Sequence, residues 1–512
     1  MLYSIFPGVN CYLWTFLALN LISVIAISAV ISDELELLGT AISTVLVNLF
    51  FAKDFYIDLQ FSKNAAMYGA VAFFLLLSYL YKENKNIFRL LLASFLLLIS
   101  YSVRKEGFYF LLPFGFVGLA VVMIHLNREK KNVRIFLPLL IPLFSALLSI
   151  GANFYAFTLD PDWKEYYDRD KILTDKRDFG NYNFEWNKEE YLEAGFTEWD
   201  FAILDLWYYN DVDNFSLERI RKIEEIGQST RVDRFRIESS LFADTFNIVR
   251  DSFKEGPLTS VSFVIILLSI VYCIRRKKYI ELFGVLALTG GIFMECYYLA
   301  CIRRALWRVE YGTWLTGALM ILGTTIVPDT KDMLDGLKDK LSTSKLGKGI
   351  FKVSVCTISA ATILIALVWQ SKNLDYSYDN YAYHDSSYDF FEALHKYNDK
   401  FFVLSIDDMF AGLCGAGNIM EIDKRYAGWF QNVASAGNYV IPAPNGMYYA
   451  HQRGITNVFG SLADRDDMYY IGGGERMGYL LMYLNEKYGP GISVREEEFD
   501  GFTAWKYYRT GT

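Results

Sequence analysis

Phe108-Tyr-Phe-Leu-Leu-Pro-Phe-Gly-Phe-Val-Gly-Leu-Ala-Val-Val-Met-Ile-His-Leu-Asn127 runs for twenty residues without an Asp, Glu, Lys or Arg. Coiled as an α-helix at about 1.5 Å per residue it measures about 30 Å, the thickness of a bilayer's hydrocarbon core. A short basic segment follows, Arg128-Glu-Lys-Lys-Asn-Val-Arg134, and then a second uncharged run, Ile135–Leu159. Met1–Ser32 and Pro257–Ile274 are uncharged as well. Soluble domains rarely repeat charge-free runs of that length, so the chain reads as a polytopic membrane protein. Met1–Ser32 lacks a basic head and is too long an apolar block for a cleaved leader, so it reads as a retained span.

Composition agrees. The 512 residues include 50 Lys and Arg against 58 Asp and Glu, a formal charge of -8, with 53% hydrophobic and 17% aromatic residues. Disorder, collagen and a disulfide scaffold are excluded. The acidic balance offers no counterion release, so nucleic acid is not an expected partner. The six cysteines show no CxxC or zinc spacing. Cys11, Cys273, Cys296, Cys301 and Cys356 lie in or beside apolar runs and read as small packing residues.

About ten spans are expected, at 12–31, 37–52, 65–81, 87–103, 108–126, 135–157, 257–274, 279–302, 311–328 and 350–369, the second and fourth being short or interrupted. Basic residues favour cytoplasmic loops. The basic segments 127–134 and 275–278, with the five Lys of 329–349, fall on one side by helix parity. The fold class that follows is an α-helical polytopic membrane bundle with an extracytoplasmic helical insertion and a C-terminal soluble α/β domain. Its divisions are 1–157 (spans), 158–256 (acidic and aromatic insertion), 257–370 (spans) and 371–512 (α/β domain). The expected location is the plasma membrane, multi-pass, with the large soluble parts outside. The N-terminus then also lies outside, and one further helix before Met1 is expected.

The insertion holds 24 acidic and 14 basic residues, yet is too aromatic for a disordered linker. Asp162–Tyr167 and Trp199–Trp207 read as short helices, and Ser216 as a helix cap. In the tail, 400–405, Met468–Ile471 and 502–508 read as strands, and 475–488 as a helix with Met477, Leu480, Leu481 and Leu484 on one face. Alternation of the two favours a mixed or parallel sheet. Gly472-Gly-Gly-Glu-Arg476 is not a complete phosphate-binding motif and reads as a tight turn.

Three short outer loops carry Lys53, Lys63, Arg104, Lys105, Arg303, Arg304 and Arg308, against the usual distribution. Guanidinium groups bind phosphates bidentately, so Arg104, Arg303, Arg304 and Arg308 are candidate ligands of a lipid phosphate. Pairing with the acidic insertion or with lipid headgroups is the alternative. Asp54 and Asp58 share that level, and Glu295 lies inside an apolar run. An ionisable group within a span is costly and is a functional candidate. These three carboxylates are candidate general bases or ligands of a divalent metal such as Mg or Mn. A salt bridge to a nearby arginine is the competing reading for Glu295.

Several segments occur in an order that carries a resemblance over nearly the whole chain. They are Leu2-Tyr-Ser-Ile-Phe-Pro-Gly-Val-Asn-Cys-Tyr12, Leu59-Gln-Phe-Ser-Lys-Asn-Ala-Ala66, Gly195-Phe-Thr-Glu-Trp-Asp200 with Trp207 and Asp211, and Tyr298-Leu-Ala-Cys-Ile-Arg-Arg-Ala-Leu-Trp-Arg-Val309. Gly428-Trp429 and Gly454-Ile-Thr-Asn457 complete the set. Together they resemble bacterial polytopic proteins of the GT-C-like glycosyltransferase type, associated with surface-polysaccharide genes. The resemblance implies sugar transfer from a polyprenyl-phosphate carrier to a glycan acceptor outside the membrane, assisted by a carboxylate in a first outer loop. This sequence begins at the motif that follows that loop. The alternative is a non-catalytic component of polysaccharide assembly or export. A secondary transporter would show an internal repeat, and none is present.

Overall fold

The computed structural model describes residues 11–32, most of 43–57, 59–82, 85–128, 133–231, 235–325, 390–405, 431–437 and most of 443–510, with a few isolated positions besides. In chain order the helices open with α1 (Cys11–Ile31), α2 (Phe61–Tyr81), α3 (Ile87–Val103), α4 (Lys105–Arg128) and α5 (Leu140–Thr158). The polar block brings α6 (Pro161–Phe179), α7 (Lys188–Glu193), α8 (Glu198–Asp205) and α9 (Leu217–Gly227). Then come α10 (Ser239–Glu255), α11 (Pro257–Arg276), α12 (Tyr279–Cys301) and α13 (Trp307–Thr324). The tail adds β1 (Phe401–Leu404), β2 (Val433–Ser435), α14 (Tyr448–Gln452), α15 (Val458–Asp464), β3 (Met468–Ile471), α16 (Gly474–Tyr488), β4 (Ile492–Phe499) and β5 (Phe502–Arg509).

Six helices are long and apolar enough to cross a membrane: Cys11–Ile31, Phe61–Tyr81, Lys105–Arg128, Arg134–Thr158, Pro257–Arg276 and Tyr279–Cys301. They coincide with six of the ten expected spans. Two more expected spans form helices that fall outside that class. Ile87–Val103 has only 17 residues, and α13 carries Arg308 and Glu310 in its first turn. The span expected at 350–369, and much of that at 37–52, lie outside the described residues.

The chain divides into two compact units, one of residues 13–153 and 234–377, the other of 1–12, 154–233 and 378–512. In the first, α2 is buried from Ser62 to Leu80 and packs against α3, α4 and α13. Lipid provides no hydrophobic drive between helices, so close packing of small residues must hold them. Ala65, Ala66, Gly69, Ala70 and Ala72 give α2 that narrow surface. The approach is close at Gly312 of α13, where an added Cβ would lie 2.7 Å from Ala66 Cβ. Ser100 Oγ donates to the Ala65 carbonyl at 2.7 Å and ties α3 to the same helix. The helices of this unit expose large apolar side chains such as Phe144, Leu147, Phe283 and Leu267, as a lipid-facing surface requires.

The second unit is built on a mixed five-stranded sheet of order β2-β1-β3-β5-β4, parallel from β2 to β3 and antiparallel beyond. Alternation along β1 and β3 divides their side chains between two cores. Phe401, Val403, Met468 and Tyr470 face one, with Leu480, Tyr483 and Leu484 of α16 and with Tyr182, Tyr191, Phe201 and Tyr208 from the polar block. Phe402, Leu404, Tyr469 and Ile471 face the other, with Phe391 and Leu394. A sheet covered on both faces needs continuous apolar strands, which is why K-F-F-V-L-S is legible as a strand.

The structure therefore joins two blocks that sequence periodicity leaves separate. Residues 158–231 supply one cover of the C-terminal sheet, whereas α10, at the end of the expected insertion, belongs to the helical unit. Asp211 is the polar hub of the sheet unit. Tyr483 and Tyr488 each donate to its Oδ2 at 2.6 Å, and Asn457 donates to Oδ1 at 2.9 Å. Burial first, and the Asp211 charge second, push both phenols far above their ordinary range. The Ser216 cap forms as expected, accepting from the Arg219 amide at 3.5 Å.

The α2–α13 contact makes a direct prediction. Gly312→Ala is expected to lower stability by about 1–3 kcal/mol, because two rigid backbones must separate. Gly290→Ala on α12 meets open space and is expected to be neutral or to stabilise by up to about 1 kcal/mol through helix propensity. Thermal unfolding midpoints in detergent distinguish the two.

Candidate functional site

Asp54 sits in a single π-helical turn, Lys53–Ile57, a distortion often found at functional sites. Its carboxylate accepts from Lys63 Nζ at 2.8 Å, with the two side chains 4% and 1% exposed. Trp307 Nε1, at the start of α13, donates to the same oxygen at 3.4 Å. The Lys63 ammonium also lies 5.6 Å above the Tyr311 ring centre. Beside this pair runs a buried amide network. Asn20 donates to the Phe55 carbonyl at 2.5 Å and to Asn64 Oδ1 at 3.2 Å, and accepts from the Tyr68 hydroxyl at 2.9 Å. The Tyr311 hydroxyl and Asn64 Nδ2 are buried with no hydrogen-bond partner among the described residues. The level of Asp54 thus keeps spare polar capacity within a helix bundle, where such groups are costly.

The loop from α12 to α13 carries the arginines. Arg304 N donates to the Leu299 carbonyl at 3.0 Å and Arg303 N to that of Ala300 at 3.1 Å, closing the end of α12. Arg303 has φ 53°, a left-handed conformation that glycine usually takes at a helix end. For a side-chain-bearing residue this costs about 1–2 kcal/mol, and such strain clusters at functional sites. The Arg303 side chain lines a cleft of about 430 Å³, together with Asp244, Asp251 and Glu255 of α10 and Trp307 and Glu310 of α13. The Arg303 side chain has no hydrogen-bond or ion-pair partner among the described residues. Glu310 is buried and accepts from Ser252 at 2.5 Å. Asp251 is already paired with Lys254 at 2.6 Å and Arg250 at 3.3 Å.

The candidates read from the sequence separate here. Asp54 is buried and paired with Lys63, and it reaches the cleft residue Trp307 through a hydrogen bond. Asp58 lies outside the described residues. Glu295 accepts from Thr313 at 2.7 Å across α12 and α13, so its partner is a hydroxyl rather than the arginine considered for it. Of Arg104, Arg303, Arg304 and Arg308, only Arg303 lines the cleft. Arg104 stacks 5.0 Å over Phe61, donates to Ser62 Oγ and lies 3.7 Å from Glu106. The residues that periodicity missed are Trp307, Glu310 and the acidic row of α10. Their signal was the i, i+7, i+11 spacing of Asp244, Asp251 and Glu255, hidden in a block read only for its total charge. Among the described residues no group of three or more His, Cys, Asp or Glu gathers closely enough to hold a metal ion.

Lys63→Met is expected to leave Asp54 buried without a partner and to cost about 3–5 kcal/mol. The Lys63→Met/Asp54→Leu double variant is expected to recover most of that loss, in a double-mutant cycle of unfolding midpoints.

No protein-family model matches the chain, and neither a curated protein nor a solved structure matches it.

Proposed function

We propose that the chain is a membrane glycosyltransferase of the GT-C-like type. It transfers a sugar from a polyprenyl-phosphate donor to a glycan acceptor on the outer face of the plasma membrane, with about ten spans and its sheet unit outside. The observation that carries this reading is the cleft's lining, in which one arginine, without a side-chain partner among the described residues, joins carboxylates, an amide and a tryptophan. Carboxylates and Asn247 suit sugar hydroxyls, and the Trp307 ring suits an apolar sugar face. Four carboxylates around one guanidinium disfavour a multiply charged diphosphate. A phosphodiester with a single negative charge matches Arg303 better.

In this reading the acceptor hydroxyl attacks the anomeric carbon and its proton passes to a cleft carboxylate, for which Glu310 is the best placed. The bond from the anomeric carbon to the phosphate oxygen breaks, and the phosphate leaves with one more negative charge. Arg303 stabilises that charge as it develops. Asp54, held by Lys63, positions Trp307 rather than carrying the proton. The alternative, a non-catalytic component of polysaccharide assembly, draws support from that same locked Asp54 and from Glu295 lying away from the cleft lining.

Binding and turnover separate the readings. Arg303→Ala is expected to weaken binding of a polyprenyl phosphate at least about tenfold, the loss of one charge-assisted contact. Glu310→Gln is expected to leave binding intact and slow transfer by about 10²–10⁴-fold. Unchanged binding in Arg303→Ala refutes the donor site. Binding without turnover in the unaltered protein favours the non-catalytic component.

A further inference from the structure

Helix α10 has three chemically different sides. Leu241, Thr245, Ile248, Val249 and Ser252 are buried, in a helix that packs against α11, α12 and α13. At about 100° per residue, Phe242, Phe246 and Phe253 fall within about 40° of one another. All three are exposed, Phe246 by 65%. Asp244, Asp251 and Glu255 fall about 180° from the phenylalanines and line the cleft. Arg250 and Lys254 lie between these two rows, about 40° and 80° past Phe246.

The phenylalanine row does not stand alone. Phe253 packs 5.0 Å from Phe263 of α11, Phe246 lies 6.4 Å from Phe293 of α12, and Phe242 lies 5.0 Å from Tyr297 of α12. Both partner helices are long and apolar enough to cross a membrane. The row therefore adjoins two helices whose length and composition suit a bilayer, and which expose Val264, Leu267 and Met294. It is extended at its N-terminal end by Ile237, which is 80% exposed. A helix with an aromatic face, flanked by basic residues at the edge of that face, matches one lying in the bilayer interface. Long basic side chains keep their charge at headgroup level while the stem covers apolar surface.

We infer that α10 is an interfacial helix whose phenylalanine row is immersed at the boundary of phospholipid headgroups and acyl chains, while its acidic row walls the cleft. The occupant of the exposed face is phospholipid. Arg250 and Lys254 then meet lipid phosphates, and α10 forms the partition between bilayer and cleft. This inference requires only that α11 and α12 cross a membrane, and it holds whether or not the cleft transfers sugar.

The test uses the unaltered full chain in vesicles of phosphatidylethanolamine and phosphatidylglycerol. The vesicles are doped with a phospholipid carrying a photoactivated diazirine on its acyl chain, and adducts are located by peptide mass spectrometry. The expected result is acyl adducts at Phe242, Phe246 and Phe253 in yields comparable to those on α11 and α12, with none at Asp244 or Glu255. A water-soluble carbodiimide and amine should modify Asp244 and Glu255 instead. Labelling of α11 and α12 with none on α10 overturns the inference. Absence of label from all three helices overturns the membrane location on which it stands.

Discussion

The approach of α13 to α2 at Gly312 and Ala66 is the constraint on which the helical unit turns. Tyr311 adjoins that glycine, and Lys63 lies three residues before that alanine. Two backbones in near contact leave little freedom one turn away, so the ammonium of Lys63 is held over the Tyr311 ring and Trp307 is brought to Asp54. The charged pair accepts a heavy desolvation cost, because attraction repays two buried ions only when geometry is good. The 2.8 Å Lys63–Asp54 bond and the Trp307 indole supply that geometry. Without small residues at the crossing, neither would be available.

From that crossing the chain builds outward by environment. Helix α10 meets protein, cleft and exposed surface on successive sides, and its residue types change accordingly every few positions. The sheet unit solves a different problem. Its strands are apolar on both faces, so each face needs a cover, and the aromatic segments of 158–231 supply one of them. Asp211, taken from that segment and held by Tyr483, Tyr488 and Asn457 from the tail, fixes the match. A buried carboxylate with three donors from the other piece tolerates no slip between the two.

Much of the architecture was legible where one residue's environment decides its type. Charge-free runs marked four of the six candidate spans because lipid excludes charge over a fixed length. Lys400–Ser405 and Met468–Ile471 read as strands because both their faces are buried. Ile492–Phe499 escaped notice for the opposite reason. As the edge strand of the sheet it carries Arg495, Glu496, Glu497 and Glu498 in succession, with no apolar period, and charged edges resist further pairing. Short Val433–Ser435 offered too few residues for any period. At the site, the cost of an ion in a span pointed to Glu295, and a place in an outer loop among basic residues pointed to Asp54. Nothing local said that Lys63 would neutralise one and Thr313 bind the other.

What the sequence by itself determined is therefore the presence and position of six helices long and apolar enough to cross a membrane, the strands of its sheet interior and the residues too costly to be incidental. These follow from transfer energies and periodicity, which act on neighbours along the chain. Only the tertiary structure decided which charge meets which, that one arginine of four lines the cleft, and that α10 joins the spans while the rest of its block joins the sheet. Those outcomes depend on helix crossings that bring together residues hundreds of positions apart, such as Trp307 and Asp54. A crossing is set by the summed fit of many small side chains rather than by any one of them.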